Sequence, residues 1–285
     1  MNSLESASFR RLTDKSHIKL SYVTHFYLDQ KRPDSVLDLL LRYQAYTPEL
    51  LDRIQFVVVD DCSPLRFDIP ELDLNLIWLR ILDDIPWNQG GARNLGVVYA
   101  ASDKVLLTDI DHEFPEATLA KMLRMRECGR DFFKIYRTDP VSGKFRHGHS
   151  NIFLLSRSRF LRLHGYDEEY CGHYGYEDYR FVKFQKYHGS RQRYLSKRYR
   201  CIPRVDIDRD EAYHGLERDL SHNKTVDSRK EYEMKQYGRS AGHSRTFLRF
   251  RWEVCLNRSR DVRIERRSNP LWQKFWYWRW LVGER

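Results

Sequence analysis

A chain of 285 residues, 41% apolar and 14% aromatic, is too apolar for a disordered polymer and too short for two full domains, so one main core with an elaborated C-terminal part is expected. Its five cysteines (Cys62, Cys128, Cys171, Cys201 and Cys255) are odd in number and contain no CxxC pair, which argues against a disulfide framework or zinc ribbon and for a reducing compartment. The net charge of +10 belongs to the last third: from Arg191 onward there are 24 Lys and Arg against 13 Asp and Glu, whereas the first 190 residues hold 26 against 27, so an anionic partner is expected there.

The opening MNSLESASFRRLTDK has no apolar core of the kind a secretory signal needs, and nowhere do 18 apolar residues run together, which disfavours secretion and a spanning helix. IKLSYVTHF (18–26) is the first predicted strand, and Pro33 and Asp34 open the apolar-periodic helix SVLDLLLRYQAY. IQFVVVDD (54–61) is a continuous β-branched run ending in acids, as expected of a strand buried on both faces of a parallel sheet. LNLIWLRIL (74–82) gives a further strand, DDIPWNQGG a loop and ARNLGVVYAAS a helix. KVLLTDID (104–111) is the next strand, and Pro115 stands at the first turn of the helix EATLAKMLRMREC.

The alternation then stops. FFKIYR and NIFLLS read as strands with no helix between them, so antiparallel pairing is expected in the second half. RSRFLRLHG and EDYRFVKFQKYHG read as helices ending at glycine. The order predicts an α/β fold: an open, mostly parallel sheet with helices on both faces, plus a small antiparallel and helical extension. No internal repeat or low-complexity linker is visible.

Ligands of open α/β sheets bind beyond the carboxyl ends of the strands. Two strands end there in acid pairs, Asp60-Asp61 and Asp109-Ile110-Asp111, and the second suits a hard divalent cation that keeps water and phosphate oxygens in its shell. Either pair alone could equally cap a helix or start a turn. In NQGGARN (88–94), Gly90 and Gly91 allow close backbone approach, the helix N-terminus offers free N–H groups and Arg93 adds a cation, which together could cradle an anion. GYDEEYCGHYGYEDYRF (165–181) crowds acids, aromatics and glycines ahead of a helix starting near Glu177; its acids serve either as first-turn caps or as a carboxylate base beside an aromatic platform for a sugar ring.

The ordered set VVVDDCSP, WNQGGARNLG, LLTDIDHEF and SNIFLLSRSRFLRLHGYDEEYCGHYGYEDYRF resembles the GT-A fold nucleotide-sugar glycosyltransferases, family 2-like, with the C-terminal motif shared with the beta-1,4-galactosyltransferases. The resemblance covers residues 18–240, which it implies form the GT-A (Rossmann-like) glycosyltransferase domain, with 241–285 a basic, Trp-rich extension. It implies a nucleotide-binding role for Thr24, Asp60 and Asp61, and contacts from Gly91, Arg93 and Asn94 to the ribose and diphosphate. By the same resemblance Asp109 and Asp111 are the metal-binding DxD, holding Mn2+ or Mg2+, with Asp111 the direct ligand and Asp109 also touching the nucleotide sugar. His222 completes the metal shell, with His214 as the alternative. Asp178, paired with Glu177, is the catalytic base. Tyr174 and Tyr176 stand where related enzymes carry Trp and Gly, in the acceptor-binding region.

The activity implied is inverting transfer from a nucleotide sugar, usually UDP-linked, to a saccharide or lipid-linked acceptor of a cell-surface polysaccharide or lipopolysaccharide. The closing RIERRSNPLWQKFWYWRWLVGER, with Trp272, Trp276 and Trp280 four residues apart, reads either as a helix docked on its own domain or as an interfacial helix on an anionic membrane. A cytoplasmic protein, peripheral on the inner face of the membrane, is the expectation. A nucleic-acid-binding protein using the basic third, and a nucleotidyltransferase on the same fold, are the competing readings. The first leaves the acid and glycine motifs unexplained, so no nucleic acid is expected as partner.

Overall fold

The computed structural model describes residues 15–28, 34–207 and 218–262. Pro33, His214 and the Trp-rich segment from 263 onward lie outside the described residues, as does the choice between a docked and a membrane-bound terminal helix.

The first half follows the expected order: β1 (Leu20–Phe26), α1 (Asp34–Gln44), α2 (Pro48–Leu51), β2 (Ile54–Asp60), β3 (Asn75–Ile81), α3 (Gln89–Tyr99) and β4 (Lys104–Leu107). After β5 (His112–Glu113) and α4 (Glu116–Arg124) come four short strands, β6 (Asp131–Lys134), β7 (Tyr136–Thr138), β8 (Phe145–Arg146) and β9 (Phe153–Ser156). The single strand expected over FFKIYR is thus two, broken at Ile135 and belonging to different sheets. The remaining elements are α5 (Arg157–Arg162), α6 (Glu177–Tyr187), β10 (Arg191–Tyr194), β11 (Arg200–Pro203), α7 (Ser221–Tyr237) and β12 (Trp252–Arg258).

The main sheet has the order β10-β6-β9-β4-β1-β2-β3-β12. Strands β4, β1, β2 and β3 run parallel, β9 is antiparallel to both β4 and β6, and β12 closes the β3 edge antiparallel. A smaller sheet, β5-β11-β7-β8, carries the mixed pairing expected of the second half. The chain beyond residue 240 therefore returns to the first half: β12 pairs Trp252 with Ile81 and Arg258 with Leu76, and the Trp252 indole donates to the Tyr99 hydroxyl at 3.0 Å.

Successive residues of a strand face opposite sides, and both sides are apolar here. Tyr22, Phe56, Val58 and Trp78 face α1 and α4 through Leu39, Leu40, Tyr43, Leu119 and Met122. Val23, Val57, Val59, Ile77 and Leu79 face α3 and join Leu95, Phe160, Phe181 and Phe250. The approach of α3 to β1 is closest at Gly96, where a Cβ would overlap the Val23 side chain. Gly96→Ala is expected to destabilise the protein by about 1–3 kcal/mol in urea unfolding, through overpacking against a strand that cannot retreat.

Candidate active site

Because β1, β2 and β4 are parallel, both acid pairs come to one edge of the sheet. Asp61 N–H donates to Phe26 O at 2.9 Å, and Thr108 N–H donates to Val23 O at 3.0 Å, which ties the two strand ends to β1. Thr24, 1% exposed in the second half of β1, has a hydroxyl oxygen without a hydrogen-bond partner among the described residues.

The first acid pair divides its work. Asp60 is held by the Arg80 guanidinium and accepts from Ser63 N–H at 2.8 Å, so it organises the turn after β2. Asp61 accepts from the Asn88 amide at 2.9 Å; burial, opposed by that hydrogen bond and reinforced by Asp60, pushes it up to about 7. Gly91, expected to let backbone approach a ligand, is instead closed over by protein: a Cβ there would overlap the Asn88 side chain and lie 2.6 Å from Phe250. Asn94 likewise faces inward, donating to Tyr166 O at 2.9 Å and Glu168 Oε1 at 2.8 Å and accepting from Tyr166 N–H.

The second pair meets the Glu177-Asp178 motif through Arg93. This guanidinium, 1% exposed, donates to Asp109 Oδ1 at 2.5 Å, to Asp178 Oδ1 at 3.0 Å and to the Tyr166 hydroxyl at 2.8 Å, and the Tyr166 hydroxyl donates in turn to Asp178 Oδ1. Burial opposes the arginine's charge, but Tyr166, Asp109 and Asp178 more than offset it, and its pKa is raised. The cation expected beside a diphosphate is thus engaged by two protein carboxylates. Gln89 contacts the second oxygen of Asp178 at 3.3 Å.

Next to this junction opens a cavity of about 400 Å³. Asp111, Glu177 and Asp178 supply its acids, Arg137 and Arg218 its cations, and Trp87, Tyr174 and Tyr176 its aromatic wall, with Gln89, His112, His149 and Asn151 between them. Trp87 and Tyr174 pack edge to face with centroids 4.9 Å apart. Tyr176 caps α6 at φ 70°, a left-handed backbone in which glycine is unstrained, and Trp87 also has positive φ. Tyr176 thus holds a strained backbone at the cavity wall, and strain of this kind concentrates at functional sites.

Glu177 has one carboxylate oxygen buried without a hydrogen-bond partner, and burial, with Asp178 beside it, pushes its pKa up to about 7. Asp111 Oδ1 lies 2.5 Å from His112 Nδ1, and His149 Nδ1 lies 3.9 Å from Asp109 Oδ2. Among the described residues no three His, Cys, Asp or Glu side chains are gathered so as to hold an ion unaided. Asp111, one of the cavity-lining carboxylates, suits a hard cation whose other positions are filled by water and ligand oxygens. His222 stacks on His173 with centroids 3.5 Å apart and is not part of the cavity lining, though Tyr174, next to His173, is.

Spacing gave no signal for Tyr166, Gln89, Arg137, His149 or Trp87. Trp87, Gln89 and Tyr166 lie inside motifs already singled out, whereas Arg137 and His149 do not.

No protein-family model matches the chain, and neither does any curated protein. Solved structures do. The fragment 1–349 of S. aureus TarS in complex with UDP-GlcNAc is similar with a TM-score of 0.53 at 16% identity, over 76% of this chain and 67% of that one. Another structure of that fragment gives 0.48 at 18% identity, with this chain spanning 60% of its length. A mutant of the Drosophila beta-1,4-galactosyltransferase 7, in complex with manganese, UDP-Gal and xylobiose, gives 0.42 at 13% identity over 73% of this chain. At such identities the likeness is one of fold: the chain has the α/β architecture of the GT-A enzymes, a large mostly parallel sheet flanked by helices. Among the described residues no helix is long and apolar enough to cross a membrane.

Asp61 and Glu177 both have folded-state values near 7, above their ordinary 3.8 and 4.5, so the folded state binds more protons than the unfolded chain in between. Their contribution to stability is full below about pH 4 and falls as pH rises through 7. In scanning calorimetry Glu177→Gln is expected to melt higher than the parent protein at pH 8, with the gap closing towards pH 5. An equal gap at both pH values would remove Glu177 titration as its cause.

Proposed function

We propose that the protein is a metal-dependent, inverting glycosyltransferase that moves a sugar from a nucleoside diphosphate, UDP by preference, to a hydroxyl of a saccharide acceptor. The observation that carries this reading is the junction at Arg93, where the acid following β4 and the acid opening α6 meet beside one cavity at the carboxyl edge of the parallel sheet.

In this reading the donor's nucleotide lies over the ends of β1 and β2, with Thr24 and Asp61 assigned to its base and ribose; the unpartnered Thr24 hydroxyl supports this, and Asp60 holds the turn beneath. Its diphosphate enters the cavity beside Asp111. This carboxylate would hold Mn2+ or Mg2+, and the bound ion would supply positive charge where the leaving diphosphate develops negative charge. Arg137 and Arg218 line the same cavity and add cationic character that the buried Arg93 cannot present. His222, stacked on His173, would supply a further ligand to the ion in this reading.

The acceptor sugar lies against Trp87, Tyr174 and Tyr176, whose ring faces match the apolar faces of a pyranose. Glu177, protonated over much of the neutral range, donates a hydrogen bond to it. Asp178 takes the proton from the attacking hydroxyl as the new bond to the anomeric carbon forms and the bond from that carbon to the phosphate oxygen breaks. Arg93 and Tyr166 hold one oxygen of this carboxylate, and the other, which accepts from Gln89 at 3.3 Å, is the one assigned to the acceptor hydroxyl. One displacement inverts the anomeric configuration, and no covalent intermediate is needed. A lipid-linked acceptor and a role in surface polysaccharide or lipopolysaccharide synthesis complete the reading.

Asp178→Asn is expected to lower transfer by about 10²–10⁴-fold while the nucleotide-sugar thermal shift stays close to that of the parent protein. Turnover at the parental rate would reject Asp178 as the base, and release of pyrophosphate in place of nucleoside diphosphate would mark a nucleotidyltransferase. Chelation by EDTA is expected to abolish transfer and manganese or magnesium to restore it. Full activity in chelator would reject the metal role of Asp111.

A further inference from the structure

The Asp109-Ile110-Asp111 turn is a short irregular stretch between β4 and β5, and the carbonyl of each of its three residues accepts a hydrogen bond. Asp109 O is served locally, by the Thr108 hydroxyl at 3.3 Å and by His112 N–H at 3.3 Å. The other two carbonyls accept from one distant residue, Arg204, which directly follows β11. Its backbone N–H donates to Asp111 O at 2.8 Å, and its Nη1 donates to Ile110 O at 3.0 Å. The antiparallel register of β5 and β11 sets Pro203 against His112 and so brings Arg204 opposite Asp111.

The guanidinium is itself held from several sides. Its side chain is 1% exposed; Nη1 also donates to Ser35 O in the first turn of α1, and Nε and Nη2 hold the two oxygens of Asp206 at 3.3 and 2.8 Å. Asp206 accepts in addition from Arg42 of α1 at 2.6 Å, and Arg42 donates to Glu113 at 3.0 Å. The chain of contacts therefore starts and ends on the segment that carries the acids: from Ile110 through Arg204, Asp206 and Arg42 to Glu113. Its Arg42 end is solvent-exposed and worth little alone, whereas the buried Arg204 head serves four acceptors at once, as only a planar group with five donors can.

We infer that Arg204 is a positioning residue: it fixes the backbone on which Asp111 stands, and so sets where that carboxylate meets a divalent cation. The inference rests on the reading of Asp111 as the metal-holding acid. Arg204 is not part of the cavity lining, so its effect passes through the turn. Groups that hold a ligating carboxylate in place set metal affinity nearly as strongly as the ligand itself. Without the Arg204 side chain Ile110 O would lose its donor, the turn would be tied at Asp111 O alone, and the carboxylate would spread over several directions of which one suits the ion.

The test is titration of the full chain with MnCl2, alone and with UDP, reading the free ion from its electron paramagnetic resonance signal. The parent protein is expected to bind manganese and Asp111→Asn to lose it. Arg204→Met and Arg204→Lys are expected to bind it about tenfold or more weakly, since a single ammonium group cannot serve Ile110 O, Ser35 O and both Asp206 oxygens from one plane. Ile54→Val, which removes a buried methyl at the opposite end of β2 from the acids, is expected to melt lower while keeping the parental manganese affinity. Should Arg204→Met fail to fold, Arg204→Lys decides. Parental manganese affinity in a folded Arg204 variant would overturn the inference and leave Asp111 as the metal-holding acid. An equal loss in Ile54→Val would overturn it too, because general instability would then be the cause. A parent protein that binds no manganese, or binds it undiminished in Asp111→Asn, would refute the metal reading and the inference with it.

Discussion

The site depends on one buried cation. Arg93 sits on the face of α3 that also carries Gly96, one helical turn nearer the N-terminus, so the packing that presses Gly96 onto Val23 directs the guanidinium toward the carboxyl ends of the strands. There it joins Asp109, fixed by β4, to Asp178, fixed by the start of α6. Without it two carboxylates would share a poorly solvated space, and removing one partner of such a buried pair costs about 3–5 kcal/mol because the remaining charge has no compensation. Its value to the molecule lies in specifying one arrangement: two segments 69 residues apart in sequence are brought into a fixed register that hydrophobic packing alone would leave free to slide.

Around this junction charge is sorted by depth. Acids and their arginine partner occupy the inner end of the cleft, and the raised values of Asp61 and Glu177 reflect how little water reaches them. Arg137 and Arg218 stand further out, on the cavity wall. Asn94 and Glu168 hold the layer beneath: Glu168 accepts from the backbone N–H groups of Leu248 and Arg249, which ties the far end of the described chain to the turn carrying Tyr166.

The parallel half of the fold was legible because strands buried on both faces are continuous apolar runs, and IQFVVVDD can be little else. The acid pairs were legible for a related reason, since charge at the end of such a run must face the sheet edge. What could not be read was direction. Arg93 was visible as a cation after a glycine pair, but its partners lie 16 and 85 residues away and are chosen by the packing of α3 and α6. Gly91 was read as room for a ligand, and the room is taken by Asn88 and Phe250, the latter from a segment with no periodic signal. The short strands β5, β7, β8 and β11 have two to four residues each, too few for alternation to show. β12 has mostly exposed side chains, so it has no buried face for a pattern to mark.

That last strand reverses the order in which the sheet can be completed. β3 is made early, yet its outer row of N–H and C=O groups is satisfied only by residues 252–258. On a ribosome working from the N-terminus, the central strands would assemble with an open edge for the whole time that the basic third is being synthesised, and an open edge invites pairing with another chain. The segment that finishes the sheet thus acts as its late seal, and the safe interval for this protein's folding is set by how quickly that seal arrives.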